Sequence, residues 1–337
     1  MIRRVRPLHL ALTGAVLLIV VFLILWEVPS DNYLLLPDKA HPVAPLVHVA
    51  GEKNRSDASG LYFVDVIEQR ASLWDSLFPG LHDGASLVPA SALIPPGATQ
   101  QSQQHVDLAE MARSQQIAAA VALRSLGYKV TAHPIGVLVD AAVPGSGAFR
   151  KLEPADLIVS LDGTPAKTMT QLHAALGTHK VGQVVSVGVR RGSKVVAVKV
   201  KTTPAQGDPH FPALGVYVEQ ATHVRLPVKV SIDSGNIGGP SAGLAFALEI
   251  LRKLGHDVTH GYRVAATGQL LPDGTVAPIG GVRQKIFGVR DAHVDVFLVP
   301  AGDNYRVAKR YAGKVRVLAV HNFRQALHLL ATLPPKA

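Results

Sequence analysis

Between residues 205 and 335 the chain alternates strand-like and helix-like segments, and few architectures accommodate that order. Gly215–Glu219, Val228–Asp233, Val264–Gly268, Val294–Val299 and Val315–Val320 are apolar runs of strand length. Ser241–Leu254, Val282–Ala292, Asp303–Tyr311 and Asn322–Leu333 space their apolar residues as helices do. Strands separated by helices bury both sheet faces, so residues 205–337 are expected to form an α/β domain. The stretch 128–203 reads differently. Gly136–Val139 and Leu157–Leu161 are short strands, the second ended by the Asp162-Gly163 turn. Val184–Arg190 and Val195–Val200 make a hairpin across Arg191-Gly192-Ser193, and Met169–Leu176 is a short helix. That is a small β-rich domain, so the chain is expected to combine α/β and α+β units.

The N-terminal part is apolar first and irregular afterwards. Met1-Ile-Arg-Arg-Val-Arg6 precedes a charge-free run of 17 residues from Leu10 to Trp26. At 1.5 Å per residue this run makes about 26 Å of helix, the short end of a bilayer crossing, and Leu8 and Val28 extend it. Residues 1–28 are therefore expected to be a cytoplasmic basic start and a transmembrane helix, with the bilayer as partner through residues 8–28. Arg3, Arg4 and Arg6 then keep the N-terminus cytoplasmic and leave the later domains extracytoplasmic in a single-pass protein of the cell membrane. A cleaved signal peptide is the competing reading, but EVPSDNYLLLP after Trp26 offers no good small-x-small site. Residues 29–127 read as a linker with an N-terminal strand and helix region. Leu61–Ile67 is strand-like, Ala71–Phe78 helical in spacing, and Pro89, Pro95 and Pro96 punctuate a loop. Gln103–Leu126 is a helix, with Gly127 as its C-cap.

The net charge of +10 does not translate into a nucleic-acid partner. The basic residues are scattered and aromatic residues make up only 5%. Cysteine is absent, which excludes disulfides, thiolate metal sites and cysteine nucleophiles.

Chemistry concentrates in two segments. Ser234-Gly-Asn-Ile-Gly-Gly-Pro-Ser-Ala-Gly243 lies between a strand and a helix. Gly238 and Gly239 allow close backbone approach, Pro240 presets the helix entry, and Ser241 sits at the helix N-terminus. A nucleophile there would form its oxyanion among free N–H groups, with Gly239, Pro240 and Ala242 as the backbone candidates. Alone, a glycine-rich cap containing serine is common. The second segment, Thr275–Phe287, places Lys285 among Ile279, Val282, Ile286 and Val289. A lysine in apolar surroundings loses solvation, its pKa falls, and it can take a proton from serine. Alone, such a lysine is usually a solvated helix residue. His256 and His260 stand four apart beside Gly255, outside any recognisable metal-binding pattern, and no metal site is assigned.

Taken together, Gly239-Pro-Ser-Ala-Gly243, Ala266-Thr-Gly268 and Pro278-Ile-Gly-Gly-Val-Arg-Gln-Lys285 resemble the proteolytic domain of the Lon family, over nearly all of 205–335. The resemblance implies a Ser-Lys dyad, with Ser241 as nucleophile, Lys285 as general base and Thr267 supporting the lysine. It implies no cofactor and no metal. Two departures stand out: Gly238 and Gln269 replace acidic residues common in ATP-dependent members.

Residues 128–203 resemble a PDZ domain of the bacterial protease type, carried by GVLVDAAVPGSGAFRKLEPADLIVSLDGTPAKTMTQLHAAL and the hairpin after it. Ala155 replaces a usual glycine there, and Phe149-Arg150 replaces smaller residues. That resemblance implies an extended peptide added to a strand edge, here Ile135, Gly136, Val137, Leu138 and Val139. The whole arrangement resembles bacterial membrane-anchored PDZ–Lon-like serine proteases, which implies protein or peptide substrates and a homo-oligomeric ring. No Gly-x4-Gly-Lys-[Ser/Thr] loop occurs, so the expected activity is ATP-independent serine endopeptidase, with the PDZ domain recruiting or gating substrates. The alternative is a membrane-tethered peptide-binding scaffold with a Lon-like fold and no turnover.

Overall fold

The computed structural model describes residues 7–52, 60–94 and 99–334; Arg3, Arg4, Arg6 and the Pro95-Pro96 pair lie outside them. The chain opens with α1 (Pro7–Glu27), whose Phe22 ring meets Trp74 of α2 (Leu73–Leu77) edge-on at 4.9 Å. Among the described residues no helix is long and apolar enough to cross a membrane. The expected transmembrane helix, its bilayer contact through residues 8–28 and the single-pass localisation built on it are accordingly withdrawn.

Residues after α1 do more than link. β1 (Pro29–Pro37) lies between β5 (Val66–Ser72) and β6 (Ser86–Pro89) in an antiparallel sheet. Between β1 and β5 the chain forms β2 (His41–Pro42), β3 (Val47–Val49) and β4 (Gly60–Phe63). After β6 come α3 (Ala90–Leu93) and α4 (Gln100–Ser125). Gly127, at φ +82°, ends α4: the Gly127 and Tyr128 N–H groups donate to the Arg124 and Leu123 carbonyls.

The β-rich unit consists of β7 (Thr131–Ala142), β8 (Leu157–Leu161), β9 (Thr164–Pro165), α5 (Met169–Leu176), β10 (Val184–Arg191), β11 (Lys194–Lys201), the β12 (Thr203–Ala205) and β13 (Asp208–Ala213) hairpin, and β14 (Val216–Arg225). Its sheet runs β11-β10-β8-β7-β14, with β9 on β8. The unit thus extends past residue 205, because β14 pairs along β7. Val137, Ile158, Leu161, Val187 and Val189 form its core against Leu172 and Leu176 of α5. Thr168 starts α5 with a capping box to Gln171. The two departures from the PDZ pattern are both conformational: Ala155 and Arg150 adopt φ of +68° and +62°.

The last part contains β15 (Val230–Ile232), α6 (Gly243–Lys253), β16 (Arg263–Ala266), β17 (Gln269–Leu270), β18 (Val276–Ala277), α7 (Val282–Asp291), β19 (Val296–Pro300), α8 (Asp303–Arg310), β20 (Arg316–Val320) and α9 (Phe323–Ala331). The central sheet runs β2-β4-β16-β19-β20, with β4 through β20 parallel and β2 antiparallel at the edge. β4 comes from the N-terminal region, as does β3, the partner of β15. One core joins α4, α6 and α9 to one face of the sheet, through Met111, Ala118, Phe246, Leu248 and Phe323. The other joins α7 and α8 to the opposite face, through Ile286, Val289, Phe297 and Ala308. Every residue of α6 from Gly243 to Arg252 is buried, which explains why that segment is apolar on nearly all sides.

Candidate active site

The loop before α6 is held from two directions. Gly239 takes φ +81°, a conformation that disfavours any side chain, and turns the chain into the 3-10 turn Pro240–Ala242. Its N–H donates to the Asp107 carbonyl of α4 at 2.8 Å. At 238 the limit is steric instead: a Cβ there would lie 2.6 Å from Asp107 Cβ, so α4 or the loop would have to shift. Ser114 Oγ, also from α4, donates to the Pro240 carbonyl at 3.0 Å. From the other side, the Ser241 carbonyl accepts the Gly268 N–H at 2.8 Å and the Thr267 hydroxyl at 3.2 Å. The serine is thus pinned between a helix and the C-terminal end of a parallel strand, a common place for sites in α/β sheets.

Lys285 enters from α7. Gly281, at φ +68°, starts that helix and accepts the Lys285 N–H at 3.0 Å. The side chain is only 3% exposed. Its Nζ donates to Ser241 Oγ at 2.6 Å and to Thr267 Oγ1 at 3.3 Å. Burial lowers its pKa from 10.5 to about 8, and the negative charge of Asp65 opposes that fall. Near neutral pH a measurable fraction of such an amine is unprotonated, which a free lysine does not offer. The structure therefore brings Ser241, Lys285 and Thr267 into one hydrogen-bonded group.

The backbone candidates fare unequally. Pro240 has no N–H, and the Gly239 N–H is engaged by Asp107. Ala242 remains, together with the N–H of Ser241 itself. Both head the helical turn, where no intrahelical acceptor is available. Beside the serine loop lies a cleft of about 330 Å³, lined by Glu110, Arg113, Asp140, Glu219, Pro240 and Gln269 among others. Arg113 and Glu219 form an ion pair across it. Burial raises the Glu110 and Asp140 carboxyls above their ordinary values. His256 and His260 fall in the turn after α6, where Asp257 Oδ1 accepts the His260 N–H at 3.0 Å.

The expected peptide edge, Ile135 to Val139, is not open. β7 pairs with β8 through Val137 and Leu138, and with β14 through Gly136, Val137, Leu138 and Val139. The sheet ends at β14, whose outer edge has no strand partner among the described residues. A groove of about 750 Å³ runs between β14 and α5, lined by Met169, Leu172, His173, Phe211, Gly215 and Tyr217 among others. The His173 and Phe211 rings stack in it at 4.2 Å. Val216-x-Val218 alternates and is legible as a strand, but the sheet it joins is a long-range choice. The grip of α4 on the serine loop has no local signal in the sequence either.

Comparison with known proteins agrees with this layout. Residues 124–202 match the PDZ domain family, and residues 176–331 match the Lon protease (S16) C-terminal proteolytic domain. The matches overlap at 176–202, where β10 and β11 belong to the PDZ-like sheet. The chain is 31% identical over 113 residues to Lon protease 2 of Bacillus subtilis strain 168, covering 34% of this chain and 19% of that protein. It is 30% identical over 129 residues to a Lon protease of Helicobacter pylori, covering 37% and 15%. The chain therefore spans less than a fifth of the length of these relatives. The PDZ domain of the SdrC-like protein of Listeria innocua aligns at 24% identity and a TM-score of 0.24, covering 26% of this chain and 96% of that one. Residues 124–202 are therefore similar to PDZ domains and residues 176–331 to the C-terminal proteolytic domain of Lon proteases.

Proposed function

We propose that this protein is an ATP-independent serine endopeptidase whose nucleophile is Ser241 and whose general base is Lys285. The observation that carries the reading is the 2.6 Å contact between Lys285 Nζ and Ser241 Oγ in a buried site. The neutral amine takes the Oγ proton as Oγ bonds to the substrate carbonyl carbon. The N–H groups of Ser241 and Ala242 are the donors closest in sequence to the developing oxyanion. The Lys285 ammonium then returns its proton to the leaving amine, and the acyl-enzyme forms. Water attacks next, with Lys285 accepting its proton and returning it to Ser241 Oγ as the acyl C–Oγ bond breaks and the acid product leaves. Thr267 holds both partners, taking the amine on Oγ1 while its own hydroxyl donates to the Ser241 carbonyl. The chain has no Gly-x4-Gly-Lys-[Ser/Thr] loop, so the proposed cycle uses no nucleotide.

A phosphonate probe with mass-spectrometric readout of Ser241, run beside a peptide-cleavage assay with and without ATP, tests the reading. Labelling of the parent chain but not of Ser241→Ala is expected, with cleavage indifferent to ATP. Lys285→Ala should abolish cleavage, and the double variant should be little worse, because the pair acts as a unit. Unimpaired cleavage by Lys285→Ala would sink the assignment. A fold that binds peptides but takes no label and cleaves nothing would favour a scaffold.

A further inference from the structure

One carboxylate acts on Lys285 from outside its own helix. Asp65 lies two residues beyond the end of β4, and β4 runs parallel to β16 with Gly60, Leu61 and Tyr62 opposite Arg263, Val264 and Ala265. Both strands run in the same direction, and β16 leads directly into Thr267 and Gly268. Thr267 Oγ1 receives the Lys285 amine, and the Gly268 N–H holds the Ser241 carbonyl. The neighbours of Asp65 are clamped to α7 on both sides of Lys285. Val66 crowds Gly281, where a Cβ would meet its Cγ2 at 2.6 Å, and Val64 crowds Gly288 at 3.3 Å.

Val64 belongs to the core on the α7 side of the sheet, whereas Phe63 belongs to the core on the α6 side. Phe63 faces Phe246 of α6, ring centroids 6.4 Å apart, and α6 is the helix that Ser241 precedes. Asp65 Oδ1 accepts the Val66 N–H at 2.8 Å, which fixes the carboxylate.

We propose that Asp65 is a positioning residue of the active site: from the end of β4 its carboxylate stabilises the ammonium that forms at Lys285 when Ser241 releases its proton. The inference rests on the Ser-Lys reading above. The influence is mutual: Asp65 works against the burial that lowers the lysine pKa, and Lys285 works against the burial that raises the Asp65 carboxyl. The other charged or titratable groups acting on Asp65 are Asp38, just after β1, and His41 of β2, while Glu68 of β5 responds to Asp65 in turn.

Asp65→Asn is the direct test, because it removes the charge and keeps an oxygen for the Val66 N–H. Without the negative charge Lys285 loses its proton more readily, so the acid limb of the pH–rate profile should move down by about half a unit or more. The alkaline plateau should fall roughly three- to tenfold, because the ammonium formed during attack is less stabilised. Asp65→Glu should restore the limb. Asp65→Ser, which also keeps an acceptor oxygen, replaces Asn if circular dichroism shows a disturbed fold. A parent chain that takes no label at Ser241 overturns both readings. A labelled parent whose Asp65→Asn profile superimposes on its own, or moves to higher pH, overturns this one alone.

Discussion

Lys285 reaches Ser241 from the opposite face of the central sheet. The two residues stand 44 positions apart, at the starts of helices that pack on different faces, yet their side chains meet at 2.6 Å. The contact forms beyond the C-terminal end of β16, where Thr267 sits between them. An amine held this way has a fixed direction and a buried environment, and in the proposed cycle its protonation controls the rate.

Activity should therefore follow the titration of Lys285. Its ordinary pKa of 10.5 is lowered to about 8 by burial, and only the neutral amine accepts the serine proton. Below pH 8 the rate should climb about tenfold per pH unit, then level off above it. A kcat/KM profile of the full chain against pH, with acylation rate-limiting, checks this. A profile flat between about pH 5 and 10 counts against Lys285 as the base.

The same burial has a cost in stability whose sign is opposite to that of a favourable ion pair. The unfolded chain holds the lysine proton up to about pH 10.5 and the folded chain only to about 8. Between those values the unfolded state binds more protons, so stability rises with pH there. Below pH 8 the full penalty is present, on the order of 3 kcal/mol. Lys285→Met, similar in length and uncharged, should raise the urea midpoint at pH 7, less the roughly 1 kcal/mol contributed by each lost hydrogen bond. The gain should fade toward pH 10.5. A variant no more stable than the parent at pH 7 removes the argument.

Ala155 offers a test of backbone conformation alone. At φ +68° a Cβ costs about 1 kcal/mol, which glycine avoids. Its backbone lies in the turn where the Ala155 N–H donates to the Val139 carbonyl. Ala155→Gly should stabilise the PDZ domain by about 0.5–1 kcal/mol, measured by thermal melting, without changing cleavage. A lower melting temperature contradicts the reading.

The groove between β14 and α5 should bind extended peptide by adding a strand to the free edge of β14. Met169 lines it and is exposed, so Met169→Asp can be made without opening the core. Peptide affinity should drop about tenfold, measured by fluorescence anisotropy, while phosphonate labelling of Ser241 stays unchanged. Equal loss from a charge placed on β7 at Leu138, with Met169→Asp silent, would return the site to the strand named from sequence.

Sequence alone determined what depends on neighbours along the chain. Helical spacing and the Gly127 signal defined α4, alternation and turn residues defined β8, β10 and β11, and the glycine-proline entry defined the turn that carries Ser241. The serine and lysine segments were legible because each needs particular residues at short spacing: a glycine at positive φ before the turn, apolar neighbours around the amine. What only the tertiary structure decided was pairing across long separations. β4 joins β16 over some two hundred residues, so the α/β sheet draws on the region that read as a linker. β14 covers β7, which closes the edge expected to bind peptide and opens another. Asp107 occupies the space beside Gly238, and the segment after β4 brings Val64 and Val66 against α7 on both sides of Lys285. The apolar run near the N-terminus met the opposite outcome. Its composition suggested a bilayer crossing, while the described helix places Phe22 against Trp74. Hydropathy and local propensity are properties of a segment, whereas strand order and the filling of space beside a loop are settled by the rest of the fold, through contacts that leave no periodic trace in either partner.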